Sequence, residues 1–107
     1  MKNTFEIQIV KESVPANALM LIKKKTNLSL AVIKDSAANN HPFFGCKLSD
    51  DKSLELIIDL HEELREMGVE TTLLDEGAPS SIEIFRNILE SHKKTARQIG
   101  LDLYIDF

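Results

Sequence analysis

Phe5, Ile7 and Ile9 alternate with Glu6 and Gln8 near the start of the chain. That period of two predicts a strand with one face buried. Pro15 stands where the first turn of a helix tolerates a missing amide hydrogen. Residues 16–26 are rich in helix formers, and Ala18, Leu21, Ile22 and Lys25 share a face at helical spacing. Lys23, Lys24 and Lys25 fall in the last turn, where positive charge suits the helix dipole. Asn27 suits a left-handed stop, and Ser29 an N-cap for a short second helix through Ala37. Asn39, Asn40, His41 and Pro42 are loop residues. A short strand is predicted over 43–48, with Gly45 marking a bulge or a close approach.

Ser49 is a candidate cap for a long helix, with Asp50 and Asp51 in its first turn. The pattern runs to Met67 and stops at Gly68. Residues 69–74 are β-branched and threonine-rich, which predicts a strand, and 75–79 read as a loop. Ser80 with Glu83 three residues on is a capping-box signature. Phe85, Ile88, Leu89, His92, Ala96 and Ile99 then recur at helical spacing up to Gly100. Leu101, Leu103, Ile105 and Phe107 alternate with Asp102, Tyr104 and Asp106, predicting a last strand. The order β-α-α-β-α-β-α-β predicts an α+β fold: a two-layer sandwich with helices on one face of a mainly antiparallel sheet. The last strand would join a sheet edge or pair with a second chain.

The 107 residues suit one domain, with a core over 5–74 and a helix-strand extension over 80–107. No apolar run approaches the roughly 20 residues of a membrane helix, and no signal-peptide pattern opens the chain. The lone Cys46 excludes an internal disulfide and suits a reducing compartment, so a soluble cytoplasmic chain is expected. Charge is uneven. Residues 1–48 hold seven lysines against three acids, whereas 49–107 hold six basic and fourteen acidic residues. The net charge of −4 makes nucleic acid an unlikely partner.

On a wheel of the long helix, Leu56, Ile57, Leu60, Leu64 and Met67 form an apolar face expected in the core. Leu54, Ile58, His61 and Arg65 form a mixed face, on which Leu54 and Ile58 are expected to pack under the C-terminal helix rather than form a binding patch. Glu55, Asp59, Glu62, Glu63 and Glu66 gather within an arc of roughly 100°. Like charges at i,i+4 oppose helix formation by about 0.2–0.5 kcal/mol per pair. Two readings stand: a solvated acidic face, or a docking stripe for a basic partner.

Signals for chemistry are sparse. His41, His61 and His92 form no short metal-ligand spacing with Cys46, and the carboxylates lack a calcium-loop spacing. The four glycines are spread singly, so no phosphate loop is expected. Cys46 with His41 could form a nucleophilic pair, but Cys46 in an apolar strand also reads as a small core residue. His61 beside Asp59 or Glu62 could act as a general base, or be a solvated helix residue. The expectation is a non-enzyme without metal or cofactor.

The stretch from Leu21 through Lys23, Lys24, Lys25, Thr26, Asn27, Leu28, Ser29 and Leu30 to Lys34 and Asp35 resembles the paired-helix segment of the bacterial ribosomal stalk protein's C-terminal domain. A second match runs from Leu48, Ser49, Asp50 and Asp51 through Leu60, Leu64 and Gly68 to Val69 and Glu70. The resemblance covers about residues 5–74 and implies a β-α-α-β-α-β fold, shared with the Clp protease adaptor family. It implies binding of a translational GTPase by the paired helices, with Leu19, Lys23 and Lys34 at matching positions. Pro15 and Met20 stand where that family places lysines, and Asn27 and Ser29 replace its two glycines.

The leading expectation is a small non-enzymatic binding protein, an immunity or antitoxin-type inhibitor of a basic toxin such as a nuclease. The acidic stripe would be its contact surface. The alternatives are a stalk-like module using Leu19, Lys23 and Lys34, and a small Cys/His hydrolase. A homo-oligomer is compatible with all three.

Overall fold

The computed structural model describes the backbone of residues 4–10 and 14–105, and the side chains of 4–10 and 14–94. Its elements are β1 (Phe5–Ile9), α1 (Ala16–Thr26), α2 (Leu30–Ala38), β2 (Phe44–Cys46), α3 (Asp51–Glu66), β3 (Thr71–Asp75), β4 (Ala78–Pro79) and α4 (Ile82–Ile105). The strands form one sheet in the order β2-β1-β3-β4, antiparallel at every pairing. The fold is the expected α+β sandwich. Since β2 and β3 both run against β1, α3 carries the chain across β1 from one flank to the other.

The alternation in β1 sets the two sheet faces. Phe5, Ile7 and Ile9 are at most 1% exposed and lie opposite Cys46 and Phe44 on one side and Leu73 and Thr71 on the other. This face meets the helices, joining one core with Ala18, Leu19 and Ile22 of α1, Ile33 and Ala37 of α2, and Phe85 and Leu89 of α4. Glu6, Gln8, Gly45, Thr72 and Leu74 lie on the opposite, half-exposed face. Gly45 keeps regular register opposite Glu6, so the strand has no bulge there.

Local chemistry explains most element ends. Asn27 closes α1 at φ 60°, its amide donating to the Lys23 carbonyl. Ser29 caps α2 by accepting from the Val32 amide at 3.2 Å. Asp50 rather than Ser49 caps α3, accepting from the Ser53 amide at 3.2 Å. The Ser53 hydroxyl, then its amide, hold the Asp50 carboxyl below its usual range. Likewise Ser81, not Ser80, caps α4, accepting from the Ile84 amide at 3.3 Å. In both cases two adjacent residues could cap, and the second is the one used.

Two larger expectations are corrected. Residues 75–79 are a hairpin rather than a loop: Glu76 and Gly77 both have positive φ, at 52° and 84°, which is the twist a two-residue hairpin needs. Leu74 pairs with Pro79, which an edge strand tolerates. Over 101–105 the chain is helical, so α4 continues through Gly100 and replaces the expected last strand; Asp106 and Phe107 lie outside the described residues. Leu101 and Ile105 are four apart, so the alternation also satisfies helical spacing. Extending a helix already formed adds a hydrogen bond per residue, whereas a new strand must first find an edge.

The buried arc of α3 comprises Leu54, Ile57, Ile58, Leu60 and Leu64. Leu54 and Ile58 are covered on the α4 side, as expected. Leu56 is only partly buried and Met67 is 40% exposed, because the buried arc is turned toward α4 and away from both. The Phe85 ring meets Phe5 edge-on with centroids 5.1 Å apart, and His92 Nδ1 lies 2.7 Å from Asp51 Oδ1, joining α4 to the first turn of α3. Phe85→Ala should therefore destabilise the chain by about 3–5 kcal/mol. Ile84→Ala, at a side chain 46% exposed, should cost under about 1.5 kcal/mol. Urea unfolding of the two variants checks this, and equal losses would contradict the packing of α4 described above.

Candidate functional site

The five acids of the stripe divide into two classes. All lie on α3, away from its buried arc. Glu62 pairs with Arg86 of α4. Glu63 pairs with Lys25 of α1, Nζ to Oε2 at 2.9 Å, approaching off the hydrogen-bonding directions of the carboxylate, so the contact is an ion pair only. These half-exposed pairs are worth at most about 1 kcal/mol each. They do, however, neutralise the two flanks of the stripe. Glu55, Asp59 and Glu66 are exposed and form no ion pair among the described residues. They stand along one ridge, with α1 on one side and α4 on the other.

Charge is arranged differently on the paired helices. Lys23 and Lys34 are exposed, as the stalk-like reading requires. Leu19, its apolar member, is 7% exposed and belongs to the core. Its neighbour Met20 is 56% exposed and, with Leu21, Lys23, Lys24 and Met67, lines an open groove of about 670 Å³ between α1 and the end of α3. The sequence hinted at this, since Met20 falls on the lysine side of α1. The exposure of Met67 depends on the rotation of α3, which the sequence does not fix.

The nucleophile and base candidates are not brought together. Cys46 is 4% exposed on the inward face of β2. Burial, then the carboxylates of Asp50 and Asp51, push its thiol up to about 11, so it stays protonated at neutral pH. His41 is exposed in the loop before β2 and makes no hydrogen bond to it among the described residues. His61 Nδ1 lies 2.6 Å from Thr71 Oγ1, joining α3 to β3. Burial, then Arg65 and Arg86, hold His61 below the ordinary histidine value, against a smaller pull from Glu83. Among the described residues no three His, Cys, Asp or Glu side chains converge as metal ligands. None of the described helices is long and apolar enough to cross a membrane.

No family model, curated protein or solved structure matches the chain.

Two pH-linked outcomes follow from the burial of Cys46 and His61. At about pH 8 the native thiol should react with iodoacetamide at least about tenfold more slowly than in urea. Equal rates would place Cys46 outside the core. For His61, folding lowers the pKa, so the unfolded chain takes up its proton first as pH falls. Its contribution to stability is complete above about pH 6.5 and is lost below that value. His61→Gln should flatten this part of the stability profile, as measured by urea unfolding across the acid range.

Proposed function

We propose that this chain is a small protein-binding domain of the immunity or antitoxin kind, which masks a basic partner such as a nuclease toxin through the ridge on α3. The observation that carries this reading is the set of three carboxylates, Glu55, Asp59 and Glu66, left without ion partners among the described residues, between two neutralised flanks. Glu55–Asp59 repel at i,i+4, and Asp59 lies four residues from the already paired Glu63. Such repulsion is relieved when cations approach from outside. A partner with a convex basic surface would meet the ridge first and gain mainly in association rate, because the carboxylates remain solvated until contact. Contact at Glu62 and Glu63 would compete with Arg86 and Lys25, so those two acids sit at the rim of the proposed surface.

The stalk-like alternative keeps Lys23 and Lys34 but loses its apolar anchor, because Leu19 is packed inside. The hydrolase alternative has its candidate groups in separate places, with the thiol protonated.

The test is co-purification from extract of the source cells with the wild-type chain and with a Glu55→Lys/Asp59→Lys/Glu66→Lys variant. A basic protein should be retained by the wild type, released by salt, and bound at least about tenfold more weakly by the variant. Retention of the same protein by both chains at all ionic strengths would remove the ridge as the site.

A further inference from the structure

We infer that the groove between α1 and the end of α3 receives an acidic amphipathic helix of a partner protein. Its lining follows the helical period along one side of α1: Asn17, then Met20 and Leu21, then Lys23 and Lys24, then Asn27. That stripe runs for about 15 Å of helix rise, close to three turns of a second helix laid beside it. Met67, just past the end of α3, completes the lining. Met20 and Met67 are 56% and 40% exposed, so the groove holds apolar surface that the core does not cover. Lys23 and Lys24 are exposed and form no ion pair among the described residues, whereas Lys25 meets Glu63. Among the described residues, no acidic side chain lines the groove.

These features select the occupant. Methionine is flexible and polarizable, and surfaces that carry it accept apolar side chains of varied shape. Two lysines with no acid among the lining residues favour carboxylates on the incoming segment. The walls are helices, whose backbone groups are already paired, so an extended strand finds no edge to lengthen. A helix satisfies its own backbone and needs only side-chain contacts. The cavity of about 670 Å³ takes a few large side chains rather than a broad surface. The fitting segment therefore carries large apolar residues at i, i+3, i+4 and i+7, flanked by aspartate or glutamate. An anionic membrane fits less well, because lipid-binding clusters carry about four to eight basic residues and the groove offers two. The groove shares no residue with the ridge, so the inference goes beyond the proposed function. It also differs from the stalk-like alternative, since Lys34 of α2 is not part of the lining.

The test uses the full chain and a synthetic probe. The probe is a fluorescein-labelled peptide of about 15 residues, with leucine at i, i+3, i+4 and i+7 and glutamate beside the leucines. Fluorescence anisotropy should show binding that weakens at least about tenfold from low to high salt. With methyl-labelled methionine, the signals of Met20 and Met67 should shift during the titration. Lys23→Glu/Lys24→Glu should bind at least about tenfold more weakly, and Met20→Ala/Met67→Ala should lose affinity at every salt concentration. All four positions are exposed, and circular dichroism confirms that the variants are folded. A peptide with lysine in place of glutamate should leave the Met20 signal unmoved. No binding of the acidic peptide, binding that leaves both methyl signals in place, or equal binding by the lysine variant would overturn the inference. So would phosphatidylserine vesicles that shift the same methyl signals when the peptide does not. The Glu55→Lys/Asp59→Lys/Glu66→Lys chain should bind the probe no more weakly than the wild type, so the two readings fail separately.

Discussion

The rotation of α3 about its own axis governs the rest of the molecule. Leu54, Ile57, Ile58, Leu60 and Leu64 are buried, and each such side chain is worth about 2–5 kcal/mol against truncation to alanine. The repulsion along the acidic ridge amounts to about 0.2–0.5 kcal/mol per i,i+4 pair. Packing therefore wins by a wide margin, and the helix cannot turn to spread its carboxylates. The ridge faces outward because the opposite side is held by the sheet, by α1 and by α4. The same rotation sets Met67 at the mouth of the groove and places Glu62 and Glu63 within reach of Arg86 and Lys25.

Much of this was legible in the chain itself. The alternation of Phe5, Ile7 and Ile9 identifies the central strand, and Asn27 and Ser29 mark the turn between α1 and α2, because each signal acts over a few residues. The hairpin at Glu76–Gly77 was hidden because glutamate is not a residue expected at positive φ, and because Pro79 argues against a strand unless the strand is known to be an edge. The end of α4 was hidden because a period of two and a period of 3.6 agree at every fourth residue. Of the site, sequence identified the five acids but not their division. Arg86 and Lys25 are 24 and 38 positions from Glu62 and Glu63, and only the tertiary fold reveals that they are neighbours.

Burial also separates the chemistry-bearing residues from one another. Cys46 sits on the inward face of an edge strand, where the cost of ionising a thiol away from water outweighs any gain from reactivity. His61 ties α3 to β3 through Thr71, and His92 ties α4 to α3 through Asp51. His61 thus links the helix layer to the sheet, and His92 links two helices within their layer. The described surface offers charge and scattered exposed apolar side chains, among them Met20, Val32, Leu48, Met67 and Ile84, for recognition.

The outer strand of the hairpin is two residues long and ends in Pro79, which has no amide hydrogen to offer. A neighbouring chain seeking to lengthen the sheet would find no donor there and almost no template. This flank thus offers little for fibre-like growth, through its own covalent structure.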